Sequence, residues 1–235
     1  MEMKENGNER MIFVSDMNIS LANAIRRSVN EIPLLAIEEV DIYKNDSALY
    51  DEIIAQRLGL VVLNNQKLKK GQVVEMKLKY KGNDGKGIVL AEGLGDNVVH
   101  PETPIVLLEE GQELELVAKA KVGKGTEHAK FSPGVIFYKH LPKIKISGEG
   151  EKYIELSEIY PGIFEKFGDK LKVKNAYLGD IDSEDLKDFQ GIDISFDDNL
   201  VFMIEAWGQI EAKEIFSGAC KALKENLSEV SKVLK

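Results

Sequence analysis

The last two dozen residues constrain this chain most. From Glu211 to Leu234, the residues Ile215, Ala219, Ala222, Leu223, Leu227, Val230 and Leu234 recur at spacings of three and four. That is the period of an α-helix with a single apolar stripe. At 1.5 Å per residue the stripe runs about 36 Å. Gly218, Ala219 and Ala222 keep part of it low enough for another helix to approach closely. Apolar surface of this size has to be covered, by the same chain or by another one.

A related pattern stands at the other end. Arg10–Val14 (RMIFV) reads as a short strand and Ser15–Asn18 as a turn. Asn18 or Ser20 can cap the helix that follows, a side-chain oxygen accepting from an orphan backbone N–H. Leu21, Ile25 and Val29 lie four apart on that helix, which runs to about Asn30 before Pro33 stops it. Glu38–Tyr43 then alternates as a strand, with Val40 and Ile42 on one face. Leu200–Trp207 (LVFMIEAW) is a strand that Gly208 ends just ahead of the final helix. The two ends can therefore share one antiparallel sheet with two main helices on one face. A unit of about 80 residues is small. The helices either cover each other and the sheet or present their stripes to a partner.

The middle reads differently. Asp51–Leu58 is a short helix ended by Gly59, and strands are predicted over Val73–Tyr80, Gly87–Ala91, Ile105–Leu108, Glu113–Lys121 and Gly134–Tyr138. Their links are rich in Gly, Asn, Asp and Pro, such as Gly82-Asn83-Asp84-Gly85. From Lys143 onward come short strands and a helix starting near Asp182 or Ser183. The net charge of the chain is −9. Between Ser147 and Asp198 there are 14 Asp and Glu against 6 Lys, which accounts for nearly all of it. No basic stripe suited to phosphate contacts is visible, so direct DNA binding is not expected. Apolar runs fall far short of the roughly 20 residues of a membrane span. The polar start MEMKENGNER does not read as a signal peptide, so the expected compartment is the cytoplasm.

Several stretches imitate reactive sites. Gly123-Lys124-Gly125-Thr126 lacks the glycine and the Ser/Thr spacing of a phosphate cradle. Asp180-x-Asp182-x-Glu184 starts like a calcium loop, but Asp185 stands where the loop needs glycine and Gly191 where it needs glutamate. His100, His128 and His140 lack the i, i+4 spacing of a helical zinc site. The single cysteine, Cys220, falls on the last helix and reads as a small apolar residue. No catalytic constellation emerges.

The segment LANAIRRSVNEIPLLAIEEVDIY, Leu21–Tyr43, resembles the signature of the alpha-like assembly subunits of multisubunit RNA polymerases. The likeness is strongest to the archaeal D-type branch of that family, counterpart of the bacterial alpha N-terminal domain. YDEIIAQRLGLVVL (Tyr50–Leu63), HAKFSP (His128–Pro133) and FMIEAWG (Phe202–Gly208) are similar to further blocks of the family, in the same order. Gln56 and Val62 depart from its pattern.

The resemblance implies an α+β fold. A discontinuous alpha-type dimerisation domain (1–46 and 199–235) would carry an inserted β-rich domain (47–142) and a ferredoxin-like insertion (143–198). In many relatives that insertion holds iron–sulfur clusters on cysteines. Here Tyr160 stands at the first cysteine's place, so a cysteine-free module with no cofactor is expected. The implied partners are the small alpha-like subunit L, the large catalytic subunits and small accessory subunits. DNA would be met only through the complex. Leu21, Ile25, Val29, Ile215, Ala219, Ala222, Leu223, Leu227 and Val230 would form the heterodimer interface. Arg26 and Arg27 would dock a large subunit through bidentate pairs with carboxylates, unless Arg27 is spent on a local pair with Glu31. The rival readings are a stand-alone homodimeric binding module and an enzyme using the Asp180–Asp185 acids.

Overall fold

The computed structural model describes residues 1–66, 68, 71–82, 87–179 and 181–234. Most of the expected Gly82–Gly85 link and Asp180 of the acidic cluster lie outside these residues. In chain order the elements are β1 (Glu2–Asn6), β2 (Arg10–Ser15), α1 (Ile19–Ser28), β3 (Pro33–Asn45), α2 (Asp51–Gly59), β4 (Val74–Lys81), β5 (Gly87–Leu90), β6 (Pro104–Leu108) and β7 (Glu113–Lys124). There follow β8 (Gly134–Ile146), α3 (Leu156–Ile159), β9 (Phe164–Phe167), β10 (Lys170–Val173), β11 (Ile192–Ala206) and α4 (Ala212–Val233). The chain divides into two compact units. One comprises Met1–Glu5, Ile12–Ala22 and Phe137–Met203; the other comprises Asn6–Met11, Asn23–Ile136 and Ile204–Lys235.

The first unit holds most of a four-stranded sheet ordered β1-β2-β11-β8. Ile12, Val14, Val201 and Met203 form an apolar cluster on it. Phe13 and Phe202 stack with centroids 5.0 Å apart, and Tyr138 lies 5.6 Å from Phe202. A second cluster gathers Leu156, Ile163, Phe164, Leu171, Ile181, Leu186 and Ile192 around α3 and the antiparallel pair β9–β10. Tyr153 meets Phe189 edge-on at 5.1 Å beside it.

Two expectations change in this unit. β8 continues to Ile146 and β11 begins at Ile192, both longer than predicted. The helix expected near Asp182 does not form, although its start is in place. The Asp182 carboxylate accepts from the N–H groups of Glu184 (2.7 Å) and Asp185 (3.1 Å), and the Asp185 carboxylate accepts from Asp182 N–H at 2.9 Å. Beyond that, Lys187 and Phe189 close three-residue turns onto the carbonyls of Glu184 and Leu186. Only seven residues separate Ser183 from the turn into β11. Along such a helix Glu184, Asp185 and Asp188 would repel one another at i, i+3 and i, i+4, which works against a costly nucleation.

In the second unit β3-β7-β4 form an antiparallel sheet. β7 alternates as a half-buried strand should: Leu114, Leu116, Ala118 and Ala120 are buried, with Glu113, Glu115 and Lys119 on the other face. Ile54 and Leu58 of α2 join Met76, Leu78 and Leu116 in the same core. Cross-strand ion pairs tie the outer face: Lys119–Asp41 and Lys79–Glu115 at 2.7 Å, Lys44–Glu113 and Lys81–Glu113 at 2.8 Å, Lys121–Glu38 at 3.0 Å. Lys79 and Lys81 of β4 are thereby paired with acids of β7.

Candidate interaction surfaces

α4 opens with a capping box. The Glu211 side chain accepts from Glu214 N–H, and the Glu214 carboxylate accepts from Glu211 N–H at 3.3 Å. Gly208, at φ +107, turns the chain from β11 toward this start; a Cβ there would also stand 2.7 Å from Val99. The first half of α4 packs on the 3-10 turn Val29–Glu31. Ala212, Ile215 and Ala219 are completely buried, and Gly218 lets Ile32 come close, since a Cβ there would lie 3.0 Å from Ile32 Cδ1. The second half is different. Ala222 and Leu223 are half-buried, and beyond them Leu227 (60%), Val230 (57%), Val233 (86%) and Leu234 (82%) stand exposed. One continuous sequence stripe is thus a core in its first half and bare apolar surface in its second.

α1 repeats the division. Leu21 N–H donates to Asn18 Oδ1 at 2.9 Å, which makes Asn18 the cap. Ile25 and Val29 are buried, whereas Leu21 is exposed. Of the nine residues expected at the heterodimer interface, Ile25, Val29, Ile215 and Ala219 therefore serve the chain's own packing and present nothing to a partner. Ala222 and Leu223 are partly open, and Leu21, Leu227 and Val230 fully so. The stripe could be read from spacing, but which half of it the chain itself covers could not.

Both arginines at the end of α1 are exposed. Arg26 is held by Asn23, whose Oδ1 accepts from Nε at 3.3 Å and from Nη2 at 2.9 Å. Glu31 does not pair with Arg27; its carboxylate takes Lys124 Nζ at 2.9 Å. Among the described residues Arg27 has no ion-pair or hydrogen-bond partner.

The reactive candidates do not converge. Among the described residues no three His, Cys, Asp or Glu side chains are grouped to hold a metal ion. His100 Nε2 meets the Trp207 carbonyl at 2.9 Å, His128 Nδ1 accepts from Lys130 N–H at 3.1 Å, and His140 Nδ1 meets the Asp197 carbonyl at 3.0 Å. Each ring is tied to backbone, in three separate places. Burial pushes the Cys220 thiol above its usual range, away from the thiolate. Among the described residues no helix is long and apolar enough to cross a membrane.

α2 and its flanks carry a further feature. Ile54 and Leu58 face the core, yet Tyr50, Ile53 and Leu60, three and seven residues apart, are exposed. Leu60 stands between two grooves. Leu35, Val61, Ala129, Trp207 and Gln209 line one, and Ile37, Val40, Ala55, Gln56 and His128 line the other.

Fold and surface together define a protein that works by association, through apolar helix faces left open beside antiparallel sheets. The sequence profile of the RNA polymerase Rpb3/Rpb11 dimerisation domain matches residues 12–227, and the chain belongs to that family. It is similar to the DNA-directed RNA polymerase subunit Rpo3 of Methanothermobacter thermautotrophicus, 31% identical over 253 residues that cover 97% of this chain and 96% of the relative. The subunits Rpo3 of Thermococcus kodakarensis and Pyrococcus furiosus are each 33% identical, covering 90% and 88% of this chain and 88% and 85% of their own lengths.

Proposed function

We propose that this chain is a non-catalytic assembly subunit of a cytoplasmic DNA-directed RNA polymerase. It pairs with the small alpha-like subunit L, and the pair is the platform on which the large catalytic and small accessory subunits assemble. Nucleotidyl transfer belongs to the complex, and DNA is met only through it. Membership of the dimerisation-domain family supports this reading. The observation that carries it is the uncovered second half of α4. Burying Leu227, Val230, Val233 and Leu234 against a partner would gain about 1.5–3 kcal/mol each before ordering costs.

The open set is Leu21, Ala222, Leu223, Leu227 and Val230, with Val233 and Leu234 added. Ile25, Val29, Ile215 and Ala219 stiffen the helices from within. Arg27, exposed and unpaired among the described residues, is the better placed of the two arginines to take a large subunit's carboxylate. Residues 1–46 and 199–235 are read as the dimerisation domain, 47–142 as the β-rich insertion and 143–198 as a ferredoxin-like insertion. The last has no thiolate to offer, since the only cysteine lies on α4. The residues present do not fit an iron–sulfur cluster; Tyr160 instead packs against an apolar cluster that includes Phe164.

The test is Leu227→Asp combined with Val230→Asp. Both positions are exposed, so the isolated chain should keep its circular dichroism and thermal midpoint. Co-purification with subunit L should be lost. Undiminished pairing would contradict the reading.

A further inference from the structure

A second face of the molecule is built for docking, and neither α1 nor α4 belongs to it. On α2 and its flanks, Tyr50 is 80% exposed, Ile53 42% and Leu60 61%, large apolar side chains left outside the core that Ile54 and Leu58 enter. The grooves on either side of Leu60 have volumes of about 180 and 170 Å³. The Lys130 stem lines both of them, and its ammonium is held down by Glu38. In the first groove the Gln209 Oε1 is buried with no hydrogen-bond partner among the described residues.

Charge says what kind of segment fits. The nearby cations are already spent: Lys130 and Lys121 on Glu38, and Arg57 on the carbonyls of Ile105 and Pro104 at 2.6 Å. The carboxylates are not. Glu39, Glu52 and Glu127 are exposed and make no ion pair among the described residues. Glu52 lies one helical turn before the groove residue Gln56, and Glu127 precedes His128, which lines the second groove. Glu38, which lines the second groove, holds the Lys121 ammonium at 3.0 Å. The rim is anionic around an apolar floor.

We infer that the α2 face with its paired grooves docks a basic polypeptide segment of a partner protein, two of whose apolar side chains straddle Leu60. The occupant meets the acid rim with Lys or Arg.

The only tryptophan of the chain, Trp207, lines the first groove and reports on it directly. The experiment follows Trp207 fluorescence of the full chain, bound to subunit L, while titrating a synthetic peptide of two leucines between lysine flanks. The expected result is a saturable emission change that weakens with salt and is absent when glutamates replace the lysines or alanines the leucines. Leu60→Asp and Glu52→Lys should each weaken binding roughly tenfold or more without disturbing the pairing with subunit L. A failure here is thus distinct from a failure of the α4 reading. No saturable change, or equal binding of the acidic peptide, overturns the inference. So does light scattering in which Leu60→Asp merely dissolves a self-associated form, because the occupant would then be a second copy of this chain.

Discussion

Glu113 shows how firmly a surface carboxylate can be held. It takes Lys44 and Lys81, each at 2.8 Å, and the two ammonium groups lower its pKa from 4.5 to about 2. A carboxylate depressed in the folded state stabilises fully above its unfolded pKa and loses that contribution as pH falls through the folded value. Glu113→Gln should therefore lower the urea midpoint slightly at pH 6. The gap from the parent should shrink between pH 4.5 and about 2; a gap that stays constant across that window would contradict the pairing. The two halves of α4 give a sharper contrast. Ile215→Ala removes a fully buried side chain and should destabilise the isolated chain by about 2–5 kcal/mol. Leu227→Ala, on exposed surface, should change it by no more than about 0.5 kcal/mol. Denaturant unfolding measures both, and equal losses would mean that α4 is sealed along its whole length.

At the scale of elements, legibility follows whether the signal is local. α1 and α4 can be read from the sequence because their caps and periods lie within a few residues: Asn18 before one, Glu211 and Glu214 at the start of the other. β8 reads too short because Pro142 interrupts it. Proline removes a ladder donor, but β8 is an edge strand of its sheet, where proline is tolerated. The first half of β11 is hidden because Asp197 and Asp198 look like loop residues; Lys143, on the neighbouring strand, neutralises Asp197. In the candidate site, the stripe on α4 is legible as a pattern. Its division into core and open surface depends on Ile32 and the turn Val29–Glu31, which are far away in sequence. The exposed α2 face escapes notice because Ile53 and Leu60 fall among apolar neighbours that do enter the core. Arg27 belongs to this scale too, as the outward residue of α1 that no local acid claims. Arg27→Glu should leave the pair with subunit L intact and weaken recruitment of a large subunit in reconstitution. Unchanged recruitment would remove Arg27 from the docking role.

For the whole molecule, the two compact units divide the work. In the second, Lys79, Lys81, Lys119 and Lys121 pair with acids on the outer face of a sheet whose other face is the core of a compact body. Its helix α4 starts inside that body and ends outside it. A chain built this way has a reason to associate, and among its described residues no three His, Cys, Asp or Glu side chains are grouped to hold a metal ion. The most direct measurement is light scattering of the purified chain, alone and with subunit L. The account predicts that mixing yields a single species with the mass of one chain plus one small subunit, and that the amides of Leu223–Leu234 exchange more slowly in it. A stable homodimer of this chain that ignores the small subunit would contradict it.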